Sequence, residues 1–72
     1  MKVVTDSNYL ALMLATGQCK GTLTYLIGDT RIESITAWFR LGSDGHSIAF
    51  RKIHGRNWYL GCSLDSVVSF ID

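Results

Sequence analysis

A chain of 72 residues has room for one domain, residues 1–72, and a domain of that size buries only about 60% of the surface its unfolded chain exposes, so modest stability is expected. Charged residues are 18% of the chain, against roughly 25% in a typical soluble domain, and the formal net charge is +1. That balance excludes a general electrostatic pull toward nucleic acid or an anionic membrane and leaves any such contact to a local patch.

No apolar run approaches the eighteen or so residues that span a bilayer, and the first residues lack the order of a signal peptide. The expectation is therefore a cytoplasmic protein without a membrane partner, in which Cys19 and Cys62 stay reduced.

Met1 to Val4 reads as a short edge strand or a lead-in. Thr5, Asp6 and Ser7 are helix-capping residues, and the Leu-, Ala- and Met-rich stretch Asn8 to Thr16 predicts a helix, closed by Gly17 as a left-handed cap. Leu10, Met13 and Leu14 share one face, with Tyr9 and Leu12 widening it, so the helix is expected to lie on a sheet.

Cys19 to Ile27 alternates, Leu23, Tyr25 and Ile27 against Thr22, Thr24 and Leu26, and Gly28-Asp29 suggests a two-residue turn. Such a turn sets Leu23 opposite Ser34, on the side expected to face solvent. A bulge near Ile32 or a three-residue loop relieves the conflict.

The stretch Ser34 to Arg51 organises the chain. Ile35, Ala37, Phe39 and Leu41 point one way, Ser34, Thr36, Trp38 and Arg40 the other. A four-residue loop over Gly42 to Gly45 places Phe39 opposite Ile48 and Ala37 opposite Phe50 inside, with Thr36 opposite Arg51 and Trp38 opposite Ala49 outside.

His54-Gly55-Arg56 then makes a third turn into Asn57 to Cys62. A three-residue loop there brings Leu60 opposite Phe50 in the core and Tyr59 opposite Arg51 outside; a two-residue loop exchanges those faces. Ser63 and Asp65 suit the start of a short final helix with Leu64, Val67, Val68 and Ile71 as its buried stripe. The predicted fold class is α+β: an N-terminal helix, a four-stranded antiparallel meander and a short C-terminal helix, both helices on one sheet face.

That order is similar in outline to the double-stranded RNA-binding fold. The family presents lysines at the start of its last helix, where this chain reads Ser63-Leu64-Asp65-Ser66, so its activity is not carried over.

Chemistry-bearing residues are sparse. Cys19, His46, His54 and Cys62 are zinc-ligand types, but each stands alone where structural zinc sites use close pairs. Ser43, Asp44 and His46 sit on a turn that offers neither a buried orienting group nor an oxyanion hole. Asp29 and Glu33 flank no cleft, and Gly42 and Gly45 lack the helix and lysine of a phosphate loop. The reading is a non-enzyme with no cofactor, no metal and no small-molecule substrate.

What remains is the open sheet face, with Thr36, Trp38, Arg40, Arg51 and Tyr59, joined by the basic turn of Arg51, Lys52 and Arg56. Tryptophan, tyrosine and arginine are the residues most enriched at binding hot spots, and aromatics flanked by arginines also stack bases. The expectation is a small non-enzymatic binding protein that docks on a larger macromolecule, a protein partner or a second copy of itself, in the manner of phage- or mobile-element-encoded inhibitors. The alternative is a nucleic-acid-binding regulator using the same face and turn.

Overall fold

The alternating runs build one six-stranded antiparallel sheet in a computed structural model that describes residues 2–72. In chain order the elements are β1 (Val3–Val4), α1 (Ser7–Thr16), β2 (Cys19–Ile27), β3 (Arg31–Leu41), β4 (Ser47–Arg51), β5 (Tyr59–Ser63), a single 3₁₀ turn (Leu64–Ser66) and β6 (Val67–Ile71). The spatial order is β1-β6-β2-β3-β4-β5.

This overturns the predicted four strands and two helices. Val67–Ile71 is a strand, inserted between β1 and β2, and the molecule has one α-helix among the described residues. Ser63 does act as a cap, accepting a hydrogen bond from the Asp65 amide, but the helical geometry lasts one 3₁₀ turn. Val67, Val68, Phe70 and Ile71 are β-branched or aromatic, and the ladders to β1 and β2 satisfy backbone groups that an isolated two-turn helix would leave to water. The outline likeness to the double-stranded RNA-binding fold goes with the missing helix.

The order of strands forces curvature. β5 and β6 are four positions apart, about 19 Å in a flat sheet, yet one 3₁₀ turn rising about 2 Å per residue joins them. The sheet therefore curls into an open half-barrel. The Leu64 amide donates to the His46 carbonyl at 2.9 Å, pinning the turn beneath the β3–β4 loop.

The concave side holds the core: Val4, Leu10, Leu14, Leu23, Ala37, Phe39, Ile48 and Phe70 are buried, and Phe39 meets Phe70 edge to face at 5.8 Å. Gly21 is required where β6 crosses, since a Cβ there would stand 2.5 Å from the Ile71 carbonyl oxygen and 2.6 Å from the Phe70 ring.

α1 closes this side through Leu10 and Leu14, its N-terminus capped by Asp6, which accepts from the Asn8 amide at 2.9 Å. Tyr9 and Leu12 do not widen the buried stripe; Leu12 is 67% exposed and Tyr9 receives the Lys2 ammonium. Gly17 is extended rather than left-handed.

Register departs from expectation in an instructive way. β3 and β4 pair Trp38 with Arg51, Phe39 with Phe50, Arg40 with Ala49 and Leu41 with Ile48, two residues from the predicted pairing. An even slip preserves every facing, so the apolar pattern could not detect it. The cause is a five-residue loop, Gly42 to His46, in which Asp44 accepts from the His46 amide, the Ser47 amide and the Ser47 hydroxyl, and Gly45 takes φ 76°.

Between β2 and β3 the loop has three residues, Gly28 to Thr30, so Leu23 faces Ile35 on the core side and the conflict disappears. Between β4 and β5 the loop runs over residues 52–58, setting Tyr59 opposite Phe50 and Leu60 opposite Ala49.

Candidate functional site

Only one side of the sheet carries a helix, which leaves the convex side open. Strand alternation places Lys20, Thr22, Thr24 and Leu26 of β2 on it, beside Ile32, Ser34, Thr36, Trp38 and Arg40 of β3. Ala49 and Arg51 of β4, Leu60 of β5, Ser69 and Ile71 of β6 and Val3 of β1 lie on it too. Its middle is hydroxyl-rich: Thr22 bonds Thr36 and Thr24 bonds Ser34, each at 2.8 Å across the β2–β3 pair.

Toward the Arg40 end the face becomes aromatic and basic. Lys20, Trp38 and Arg51 stand in one row across β2, β3 and β4. The Arg51 guanidinium carbon lies 5.6 Å from the centre of the Trp38 ring and 5.5 Å from that of Trp58, and the Arg40 guanidinium carbon lies 4.2 Å from Trp58. The result is a chain of contacts Trp38, Arg51, Trp58, Arg40 in which indoles and guanidiniums alternate, each contact favourable by about 0.5–1 kcal/mol or more as desolvation increases.

The two arginines have different jobs. Arg51 is half-buried and fully engaged: Nη1 donates to the Gly55 carbonyl at 2.9 Å and Nη2 to Gln18 Oε1 at 3.2 Å, so it ties the β4–β5 loop and the start of β2 to the sheet. Arg40 is exposed, and its side chain makes no hydrogen bond or ion pair among the described residues. Arg51 holds the platform together, and Arg40 presents it.

The other residues predicted for this face divide. Thr36 lies on it, exposed, two positions from Trp38. Lys52 and Arg56 are exposed in the β4–β5 loop that Arg51 anchors. Tyr59 is on the other side: it pairs with Phe50, ring centres 5.7 Å apart, and does not face Arg51. Trp58, Lys20 and Gln18 were not anticipated from the sequence. Trp58 alternates in sequence with Tyr59 as if it shared a strand face with Leu60 and Cys62, but it sits in irregular chain just before β5, where that alternation does not govern it.

Cys19 and Cys62 are free thiols, and burial pushes the Cys62 thiol up from its ordinary value. No three His, Cys, Asp or Glu side chains among the described residues come together as a metal-binding group. His46 and His54 lie exposed in loops at opposite ends of β4.

Asp44 spends its carboxylate on its own loop; hydrogen bonds from the His46 amide and then from the Ser47 hydroxyl and amide hold it below the usual carboxylate range. The cleft inside the half-barrel, between Leu23, Tyr25, Phe39 and Phe50, has about 50 Å³, and two depressions on the surface are larger, about 460 Å³ between the end of α1, Gln18 and Arg40 and about 400 Å³ between Ser7, Ala11, His46 and Asp65. No helix among the described residues is long and apolar enough to cross a membrane.

Comparison with family models, with curated proteins and with solved structures finds no match to this chain.

Proposed function

We infer that this protein is a small non-enzymatic module that docks on a larger macromolecule through the convex face of its sheet, with Trp38, Trp58 and Arg40 as anchors. The observation that carries the reading is the alternating indole and guanidinium stack, set on β3, β4 and the loop that follows β4, tied by Arg51 and left without a covering helix. Binding energy at interfaces concentrates on a few tryptophan and arginine side chains that are held in place before the partner arrives. A compact domain that works by covering a surface is also the form of many phage- and mobile-element-encoded inhibitors, an analogy of shape that supports the class and not an origin.

The face is tested by placing a photo-crosslinking side chain at Thr36 on the convex side and, separately, at Leu12 on the exposed side of α1. Discrete adducts are expected from position 36, reduced by Trp58→Ala, and none of the same size from position 12. Identical adducts from both positions, or adducts from position 12 alone, would remove the convex face as the docking surface.

A further inference from the structure

Resting on that reading, we propose that the partner of the convex face is single-stranded nucleic acid, held by stacking at the Trp38–Arg51–Trp58–Arg40 platform and by phosphate contacts to Lys20, Arg40, Lys52 and Arg56. The argument begins with where the charges fall. The chain has seven lysines and arginines and six carboxylate side chains, so the net charge is uninformative, but apart from Lys2 beside Asp72 and Arg31 paired with Glu33 the cations gather on one side.

Lys20, Arg40 and Arg51 stand on the convex face, with Lys52 and Arg56 in the loop that Arg51 fastens beside it. None of the six acids occupies a convex strand position. Asp6 caps α1, Asp29 is in the β2–β3 loop at the far end from Arg40, and Glu33 is bonded to Arg31 on the concave side. Asp65 is in the 3₁₀ turn, and Asp72 accepts from the Lys2 amide. Asp44 lies in the loop at the Arg40 end, with both carboxylate oxygens turned into three hydrogen bonds of that loop. The face thus complements a polyanion while the whole molecule does not.

The remaining features separate nucleic acid from an acidic protein. Exposed apolar side chains on this face are peripheral, the paired Leu26 and Ile32 at one end and Val3 and Leu60 at the two edges, so they form no continuous apolar centre of the kind a protein interface uses. The centre carries instead Thr22, Thr24, Ser34 and Thr36, whose hydroxyls suit sugar and phosphate oxygens. Arg40 is the exposed end of the stack, a planar cation on which an unpaired base stacks while its N–H groups reach phosphate. A duplex hides those base faces, so the strand must be single. Stacking alone does not choose between ribose and deoxyribose.

The experiment uses the two tryptophans as the reporter, since both belong to the platform and the chain has no others. Fluorescent oligothymidylate and oligouridylate of about 12 nucleotides, the corresponding duplex and polyglutamate are titrated at about 50 and 200 mM salt. Both single strands are expected to bind and quench tryptophan emission, the duplex and polyglutamate more weakly and without quenching. Affinity should fall with salt with a log–log slope near −2 to −3, as three or four phosphate contacts require.

Arg40→Glu and Lys20→Glu should each weaken binding about 10-fold or more, Lys20→Glu at unchanged melting temperature and Arg40→Glu with the small loss that its contact with Trp58 implies, and Arg40→Lys should restore the salt slope but not the quenching. A preference between the two strands identifies DNA or RNA within the same proposal. No oligonucleotide binding at the lower salt, or polyglutamate binding as tightly as either strand, would overturn it. If adducts at position 36 persist in that case, the partner class alone falls and the face stands; if they vanish too, both fall.

Discussion

On the concave side of the sheet, side chains are apolar, interlocked and shielded by α1, and Phe39, Phe70, Leu10, Leu23 and Ile48 are almost wholly removed from water. On the convex side the same strands carry hydroxyls, two arginines, a lysine and a tryptophan, cross-linked by hydrogen bonds and cation–π contacts and open to solvent. One face keeps the protein folded, and the other is the one proposed for contact. The lesson is that a chain with 18% charged residues can leave one side bare without exposing its core, provided that polar pairs across strands stabilise what the helix does not cover.

The division is open to attack, first where the effect is largest. Phe39→Ala removes a ring packed against Phe70 and is expected to cost about 3–5 kcal/mol in denaturant unfolding, enough to unfold a domain of this size, whereas Thr36→Lys on the convex side of the same strand gives up only the exposed bond to Thr22 and should cost no more than about 1 kcal/mol. Comparable losses at both positions would mean that the convex side is also structural.

Arg51→Ala sits between these extremes. It deletes contacts to both indoles and to the Gly55 carbonyl, so a loss of about 1–2 kcal/mol is expected, together with faster hydrogen exchange of the β4–β5 loop. An unchanged melting temperature would return Arg51 to the set of free binding residues.

The smallest effect concerns the loop at the Arg40 end. Asp44 is more acidic in the folded chain than its ordinary value near 3.8, so its contribution is present above that pH and is lost as the pH falls through the lowered value. Asp44→Asn should therefore lower stability by a constant amount at neutral and alkaline pH and flatten the acid limb of a stability–pH profile below about pH 4. A profile unchanged below about pH 4 would show that the loop does not depend on the carboxylate.

Much of the face assignment was legible because it depends only on local alternation. The runs around Leu23 and Phe39 name their own inner sides, and the convex positions of Trp38, Arg40 and Arg51 follow from them. Register was not legible, because Asp44 and Ser47 set the loop length through side-chain hydrogen bonds and an even slip leaves the pattern intact.

The last strand was missed for a different reason. Leu64, Val67, Val68 and Ile71 fit a helical stripe as well as they fit a strand, and the ladder that decides the matter is supplied by distant residues of β1 and β2, near the other end of the chain. The platform was half legible. Trp38 and the arginines stood on a recognisable strand, while Trp58 became a neighbour of Arg40 only through the path of an irregular loop.

The seating of β6 between β1 and β2 has a consequence for how the molecule comes into being. On a ribosome, α1 and the strands through β5 emerge before the segment that must wedge into the gap beside Gly21, so the nascent chain waits with its sheet split and Leu23 without Phe70. Assembly governed by so distant a pairing belongs to the slow class, milliseconds to seconds rather than microseconds, and the unzipped gap between Val4 and Leu23 is where a newborn copy is most exposed to mispairing.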